Sequence, residues 1–123
     1  MTRLCRPEQV AQVSLGESLA GLSIDDIGLF ELNEAFSVQV LALLEHYGIA
    51  DDDPRVNPWG GAIAIGHPLA SSGVRLFNQL ARHFENHPEV RYGMTSMCVG
   101  LGQGGTVIWE NPHHADYGKE DAQ

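Results

Sequence analysis

The sequence reads as a single α/β domain, and three observations carry that reading. Helical periodicity runs over residues 7–22 and again over 68–86; a short apolar strand at 27–32 feeds straight into a helix; two further strands, 90–98 and 106–109, flank a glycine-dense turn. A chain of 123 residues supplies one hydrophobic core, with no room for separate cofactor and substrate domains.

Pro7 suits a first helical position, and Ala11, Leu15, Ser18, Leu19 and Leu22 recur at steps of three and four, with Gly21 offering a left-handed cap. After Asp25 and Asp26 the segment Ile27–Leu32 is short and apolar and ends at Asn33, a preferred N-cap residue for the helix that follows. That helix sets Phe36, Val40, Leu43, Leu44 and Tyr47 on one face, and Gly48 stops it. The run Asp51, Asp52, Asp53, Pro54 is a solvated turn.

From Asn57 to Pro68 three glycines and two prolines fall within twelve positions. The stretch is too broken for a regular helix and too small-residued for an ordinary strand, so another group must approach its backbone closely. Pro68 opens a helix whose Leu69, Gly73, Leu76, Phe77, Leu80 and Phe84 form one stripe, ending before Pro88. The two closing strands make a hairpin around Gly100–Gly105. Residues 1–6 are an N-terminal extension, 7–111 the domain, and 112–123 a polar tail expected to be disordered.

Net charge is −9, distributed as −8 over residues 1–53, +2 over 54–109 and −3 from Glu110 onward. This balance argues against nucleic acid as a partner, and the middle third is where an anionic ligand is best tolerated. No apolar run reaches the roughly 20 residues that span a bilayer, so membrane insertion is not expected. The first residues lack the apolar stretch of a secretory signal, which suits a cytoplasmic protein. Cys5 and Cys98 form no C-x-x-C, which gives no disulfide scaffold and no cysteine zinc site.

Chemistry concentrates at three junctions: Asn33 after a strand, His67 before a helix, and Cys98 before the glycine turn. Polar groups at such junctions point into the crevices at sheet ends where ligands bind. Each also has a plain structural reading. Asn33 is an N-cap, which on the sequence alone is the preferred reading; His67 is a capping or core-satisfied ring; Cys98 is a small buried hydrophobe. Gly66 and Pro68 on either side of His67 weigh against its plain reading, since they open space beside the ring and fix the helix start. A neutral imidazole there accepts a proton or donates to a developing oxyanion.

The segments Asn33-Glu34-Ala35-Phe36, Gly60 to Pro68, and Cys98-Val99-Gly100 with its trailing glycines resemble, in order, three C-terminal signature motifs of the thiolases. The resemblance covers about residues 22–110. It implies the C-terminal half of the thiolase fold, a mixed β-sheet covered by α-helices. It also implies an acyltransferase that cleaves 3-ketoacyl-CoA with CoA, or runs the reverse Claisen condensation, through an acyl-cysteine. By that resemblance His67 activates the nucleophilic thiol and contributes to a first oxyanion hole, and Asn33 holds a water there. Cys98 resembles the acid/base cysteine, and Gly100 the glycine whose N–H serves a second oxyanion hole.

The acyl-CoA enters as substrate, and no cofactor and no metal is expected. The family's nucleophilic cysteine and its CoA-gripping loop lie in the N-terminal half, so a complementary N-terminal half, a homo-oligomer, or both are the expected partners. Cys5, within Arg3-Leu4-Cys5-Arg6, has no strand-to-helix elbow around it and is no substitute. In a layered fold cut at its middle, the helix over 68–86 is expected to expose an apolar face. Trp59 and the Ala70-Ser71 pair depart from the family pattern and are expected to reshape the pocket.

Other signals fall away. Gly100, Gly102 and Gly105 satisfy G-x-G-x-x-G, but a strand follows rather than the helix that dinucleotide binding requires. His83 and His87 lack a third metal ligand and better complement a helix dipole, and His113-His114 belongs to the tail. Two functions stay open on the sequence: half of a thiolase-type enzyme, or a non-catalytic remnant that keeps an acyl-CoA-binding or interaction surface.

Overall fold

The computed structural model describes residues 20–100 and 103–119. Cys5, Gly102 and most of the helix expected over 7–22 lie outside them; Ala20 is helical, and Gly21 follows in the left-handed region at φ 67°.

The fold is α/β. Strand β1 (Ile27–Leu32) is followed by helix α1 (Ser37–Tyr47), a single helical turn α2 (Ala62–Ile65), helix α3 (Ser72–Asn86), and strands β2 (Tyr92–Gly100) and β3 (Gln103–Glu110). β1 and β2 are parallel, β2 and β3 antiparallel, giving a mixed three-stranded sheet in the order β1-β2-β3 among the described residues. Val56 adds a single parallel bridge to Phe30 on the other side of β1.

A strand points successive side chains to opposite faces, and β1 uses both. Phe30 and Leu32 join Ile27, Met94 and the α1 residues Val40, Leu43 and Leu44 in one core cluster. Leu29 joins Leu80 and Phe84 of α3 in a second cluster on the opposite face. Helices therefore cover both faces, which is why β1 carries the near-continuous apolar run of a strand buried on two sides. Gly93 of β2 lets α3 approach: a Cβ there would lie 2.7 Å from Leu80 and 2.8 Å from Phe84.

Several expectations are corrected. Asn33 caps no helix: α1 starts at Ser37 with Phe36 at its N-cap. The intervening residues, held by tertiary hydrogen bonds, cross from the sheet to the helix. Phe36 accordingly leaves the α1 stripe and is exposed, while Gly48 closes the helix at φ 67° as expected. α3 begins at Ser72 rather than Pro68, so Leu69 sits in the preceding loop, 82% exposed. Of the α3 stripe, Leu76, Leu80 and Phe84 are buried within this chain, whereas Phe77 remains open, as does Val74 outside the stripe. Residues 103–105 belong to β3, pairing with Gly100, Cys98 and Met97, so the hairpin strands run deeper into the glycines than periodicity indicates. Residues 112–118 make successive turns rather than a loose tail. The Asn111 amide fastens them, accepting from the His113 N–H at 2.9 Å while donating to the Val90 and His87 carbonyls.

His83 is not at a fraying end. It is 1% exposed, with Trp59 stacked 3.8 Å away and its Nε2 3.3 Å from Oε1 of Glu31, itself fully buried on β1. Burial pushes the Glu31 carboxyl up to about 8, with the Arg75 guanidinium opposing and the Glu34 carboxylate adding. Burial also lowers His83, helped by the neighbouring His87. Burial therefore holds both groups neutral near pH 7.

The linkage has a definite sign. Between the unfolded carboxyl at 4.5 and the folded one at about 8 the native state holds the extra proton, so this term weakens folding as pH rises. His83 acts oppositely below its ordinary 6.5, where the unfolded state binds the proton. Between about pH 7 and 8 the Glu31 contribution dominates, and stability is expected to fall by roughly 1 kcal/mol per pH unit. Urea midpoints across that interval should show this limb in the native chain and a flat profile in Glu31→Gln.

Candidate active site

The carboxyl ends of the parallel strands β1 and β2 lie at the same edge of the sheet, and the N-terminus of α3 meets them there. Asn33 leaves β1, Cys98 and Gly100 end β2, and His67 precedes α3, so topology gathers all four candidate residues. Asn33 is fully buried, its N–H donating to the Ser96 carbonyl at 2.8 Å and its Nδ2 lying 3.3 Å from Nε2 of His67. His67 and Cys98 are half-buried, and together with Gly100 they line one pocket of about 600 Å³. Phe36, Leu69, Met97 and Val99 supply its apolar walls. Gly100 sits at φ 81°, a conformation that suits glycine where the chain turns at the mouth.

Four residues that sequence reasoning left without a role hold this arrangement. Asn57, itself in the left-handed region at φ 44°, accepts from the Leu32 N–H at 2.7 Å and donates to the Leu32 carbonyl at 3.0 Å and to Glu34 Oε1 at 2.9 Å. Glu34 Oε2 then accepts from the Ile63 N–H at 2.9 Å. The close approach expected in the glycine-rich stretch is this carboxylate: a Cβ on Gly61 would lie 2.2 Å from its carbon. Ser72, buried in the first turn of α3, places Oγ 2.7 Å from Nδ1 of His67. Arg75 fixes the adjoining loop, its Nη1 donating to the Gly66 carbonyl at 2.6 Å. The left-handed Asn and the doubled glycine were the available sequence signals; the Ser72 contact had none.

Trp59 is absent from the pocket walls and lies over His83 instead, so its departure from the family pattern does not reshape this crevice. Among the described residues no group of three or more His, Cys, Asp or Glu side chains could hold a metal ion, and no helix is long and apolar enough to cross a membrane. The strand at 103–110 stands where a dinucleotide fingerprint would need a helix.

Residues 4–111 match the family model described as thiolase, C-terminal domain. The chain is 51% identical over 92 residues to a 3-ketoacyl-CoA thiolase of Photobacterium profundum, covering 74% of this chain and 24% of that protein. It is 48% identical over 105 residues to a 3-ketoacyl-CoA thiolase of Yersinia enterocolitica, covering 85% and 26%. It is 53% identical over 92 residues to the 3-oxoadipyl-CoA/3-oxo-5,6-dehydrosuberyl-CoA thiolase of Escherichia coli, covering 74% and 22%. The chain thus spans about a quarter of the length of the curated relatives it matches.

Replacing Asn57 with alanine leaves a strand N–H, a strand carbonyl and a carboxylate short of a partner in a buried place. We expect Asn57→Ala to cost about 3 kcal/mol of unfolding free energy, and Gly61→Ala about 1–3 kcal/mol through forced displacement of Glu34. Urea midpoints at unchanged slope would check both, and a shift below about 0.5 kcal/mol in either would contradict the clamp.

Proposed function

This chain belongs to the thiolase family, matching its C-terminal domain, and from that premise we propose that it supplies the proton-handling and oxyanion-binding half of an acyltransferase acting on 3-ketoacyl-CoA. The observation that carries the proposal is the convergence of His67, Cys98 and Gly100 on one crevice, with the Asn33 amide 3.3 Å from Nε2 of His67. Apolar walls beside polar reactive groups suit an acyl thioester.

The chemistry follows from where charge develops. A thiol of the complementary N-terminal half gives its proton to His67 and attacks the ketone carbon, placing negative charge on the ketone oxygen. His67, and a water held by Asn33, meet that charge. Collapse breaks the bond between the ketone carbon and the α-carbon, and the leaving enolate takes a proton from the thiol of Cys98. The oxygen of the thioester tetrahedral intermediate that follows is met by donors that include the Gly100 N–H. Cys98, now a thiolate, accepts the proton of incoming CoA, whose sulfur attacks the acyl-cysteine; the shortened acyl-CoA forms as the partner's thiolate leaves, and His67 returns its proton to that sulfur. The reverse order is a Claisen condensation.

Coenzyme A enters as substrate, and the scheme calls for no cofactor. The 3-ketoacyl-CoA substrate rests on the relatives' names, fatty-acid β-oxidation is the role proposed for it, and a cytoplasmic setting is where Cys98 stays a thiol. The open side chains of Val74, Phe77 and Val107 suit burial against an N-terminal half or a second copy.

The test is complementation. Alone, the chain should show no thiolysis, because covalent catalysis needs the partner's thiol. Co-expressed with the N-terminal half of a relative it should turn over a 3-ketoacyl-CoA, and His67→Ala or Cys98→Ser should lower kcat about 10²- to 10⁴-fold. A folded, complemented complex that is silent, or one indifferent to both substitutions, would overturn the proposal.

A further inference from the structure

A histidine that takes a proton from a thiol uses one ring nitrogen, and whatever binds the other nitrogen decides which one is basic. Nδ1 of His67 lies 2.7 Å from Oγ of Ser72, a side chain with no exposure to solvent. That hydroxyl owns one hydrogen, and it also lies 3.0 Å from the carbonyl oxygen of Pro68, which can only accept. Donating its hydrogen to Pro68, Ser72 turns a lone pair toward the ring, so Nδ1 must carry the proton.

The other side of the ring agrees. Nδ2 of Asn33, which can only donate, lies 3.3 Å from Nε2. The opposite assignment would place the proton on Nε2 and turn the Asn33 amide over. Ser72 would then have to give its only hydrogen to Nδ1, and its 3.0 Å contact with the Pro68 carbonyl, which also accepts from the Ser71 and Ser72 N–H groups at 3.1 Å, would hold no hydrogen.

We propose that Ser72 is a positioning residue that holds neutral His67 as its Nδ1–H tautomer, so that Nε2, the nitrogen the Asn33 amide reaches, is the basic one. The relay runs from the Asn33 amide to Nε2, and from Nδ1–H through Ser72 to the Pro68 carbonyl. Because Ser72 opens α3 and Pro68 stands in the turn before it, the start of the helix and the ring are held by the same hydroxyl. The functional meaning rests on the reading of His67 as the thiol-activating base; the tautomer itself does not.

The test is nitrogen NMR on the full chain labelled at histidine, at a pH where His67 is neutral, with its resonances assigned by their loss in His67→Gln. The native chain should show a protonated Nδ1 and a bare Nε2, the reverse of the preference of free histidine. Ser72→Ala and Ser72→Cys should move the ring toward Nε2–H, and Ser72→Thr should restore the native pattern. An Nε2–H ring in the native chain, or a tautomer unmoved in the folded alanine and cysteine variants, overturns the assignment. In the complemented enzyme Ser72→Ala should lower kcat about a hundredfold with KM unchanged. A complemented enzyme without turnover, combined with the expected spectra, would sink the thiolase reading while leaving the role of Ser72 at the ring intact.

Discussion

The geometry at the edge of the sheet where Asn33, His67, Cys98 and Gly100 gather depends on the Asn57 amide. It bonds the N–H and the carbonyl of Leu32 where β1 ends and hands Glu34 on to the next loop. Asn33 lies between the two bonded residues, so its burial and its aim at His67 follow from the clamp rather than from any helix cap. A side chain that substitutes for a missing neighbouring strand satisfies backbone groups that would otherwise be stranded, at a point where the chain must leave the sheet. The left-handed backbone of Asn57 and the bare Cα of Gly61 are the concessions that bring the two loops into contact.

Asn111 does the same at the opposite end. Its buried amide ties the end of α3 to the entry of β2 through the His87 and Val90 carbonyls and accepts from the His113 N–H. The domain is thus an apolar sandwich closed at both ends by amide side chains. Amides suit this task because each offers donors and an acceptor without a charge to desolvate.

On the α3 face, β1 presents Leu29 and Glu31 on alternate positions, and Asn33 follows at its end. This face carries the polar functions, while Phe30 and Leu32 pack on α1. Glu31 and His83 are accommodated because their environment holds both neutral, with Trp59 covering the ring. Keeping a charge out of that layer leaves the crevice beyond it to develop charge only where a reaction requires it.

Local periodicity and turn chemistry were sufficient for the class of fold, for β1, for the glycine stop of α1, and for the three junctions that became the crevice. Each is a property of neighbouring residues: apolar spacing, a missing Cβ, a ring that fixes φ. They were not sufficient for partners distant along the chain. Asn33 looked like a cap because asparagine caps helices well, yet its side chain meets a residue 34 positions away. His83 looked like a helix-end cation, and packing turned it inward onto Glu31. The glycine-rich stretch announced a close approach without naming Glu34. Ser72 carried no local signal, since a serine in the first turn of a helix is ordinary until a histidine ring is folded against it. Hydrogen-bond partners across such separations are chosen by the way the sheet and α3 pack, and only the tertiary structure holds that information.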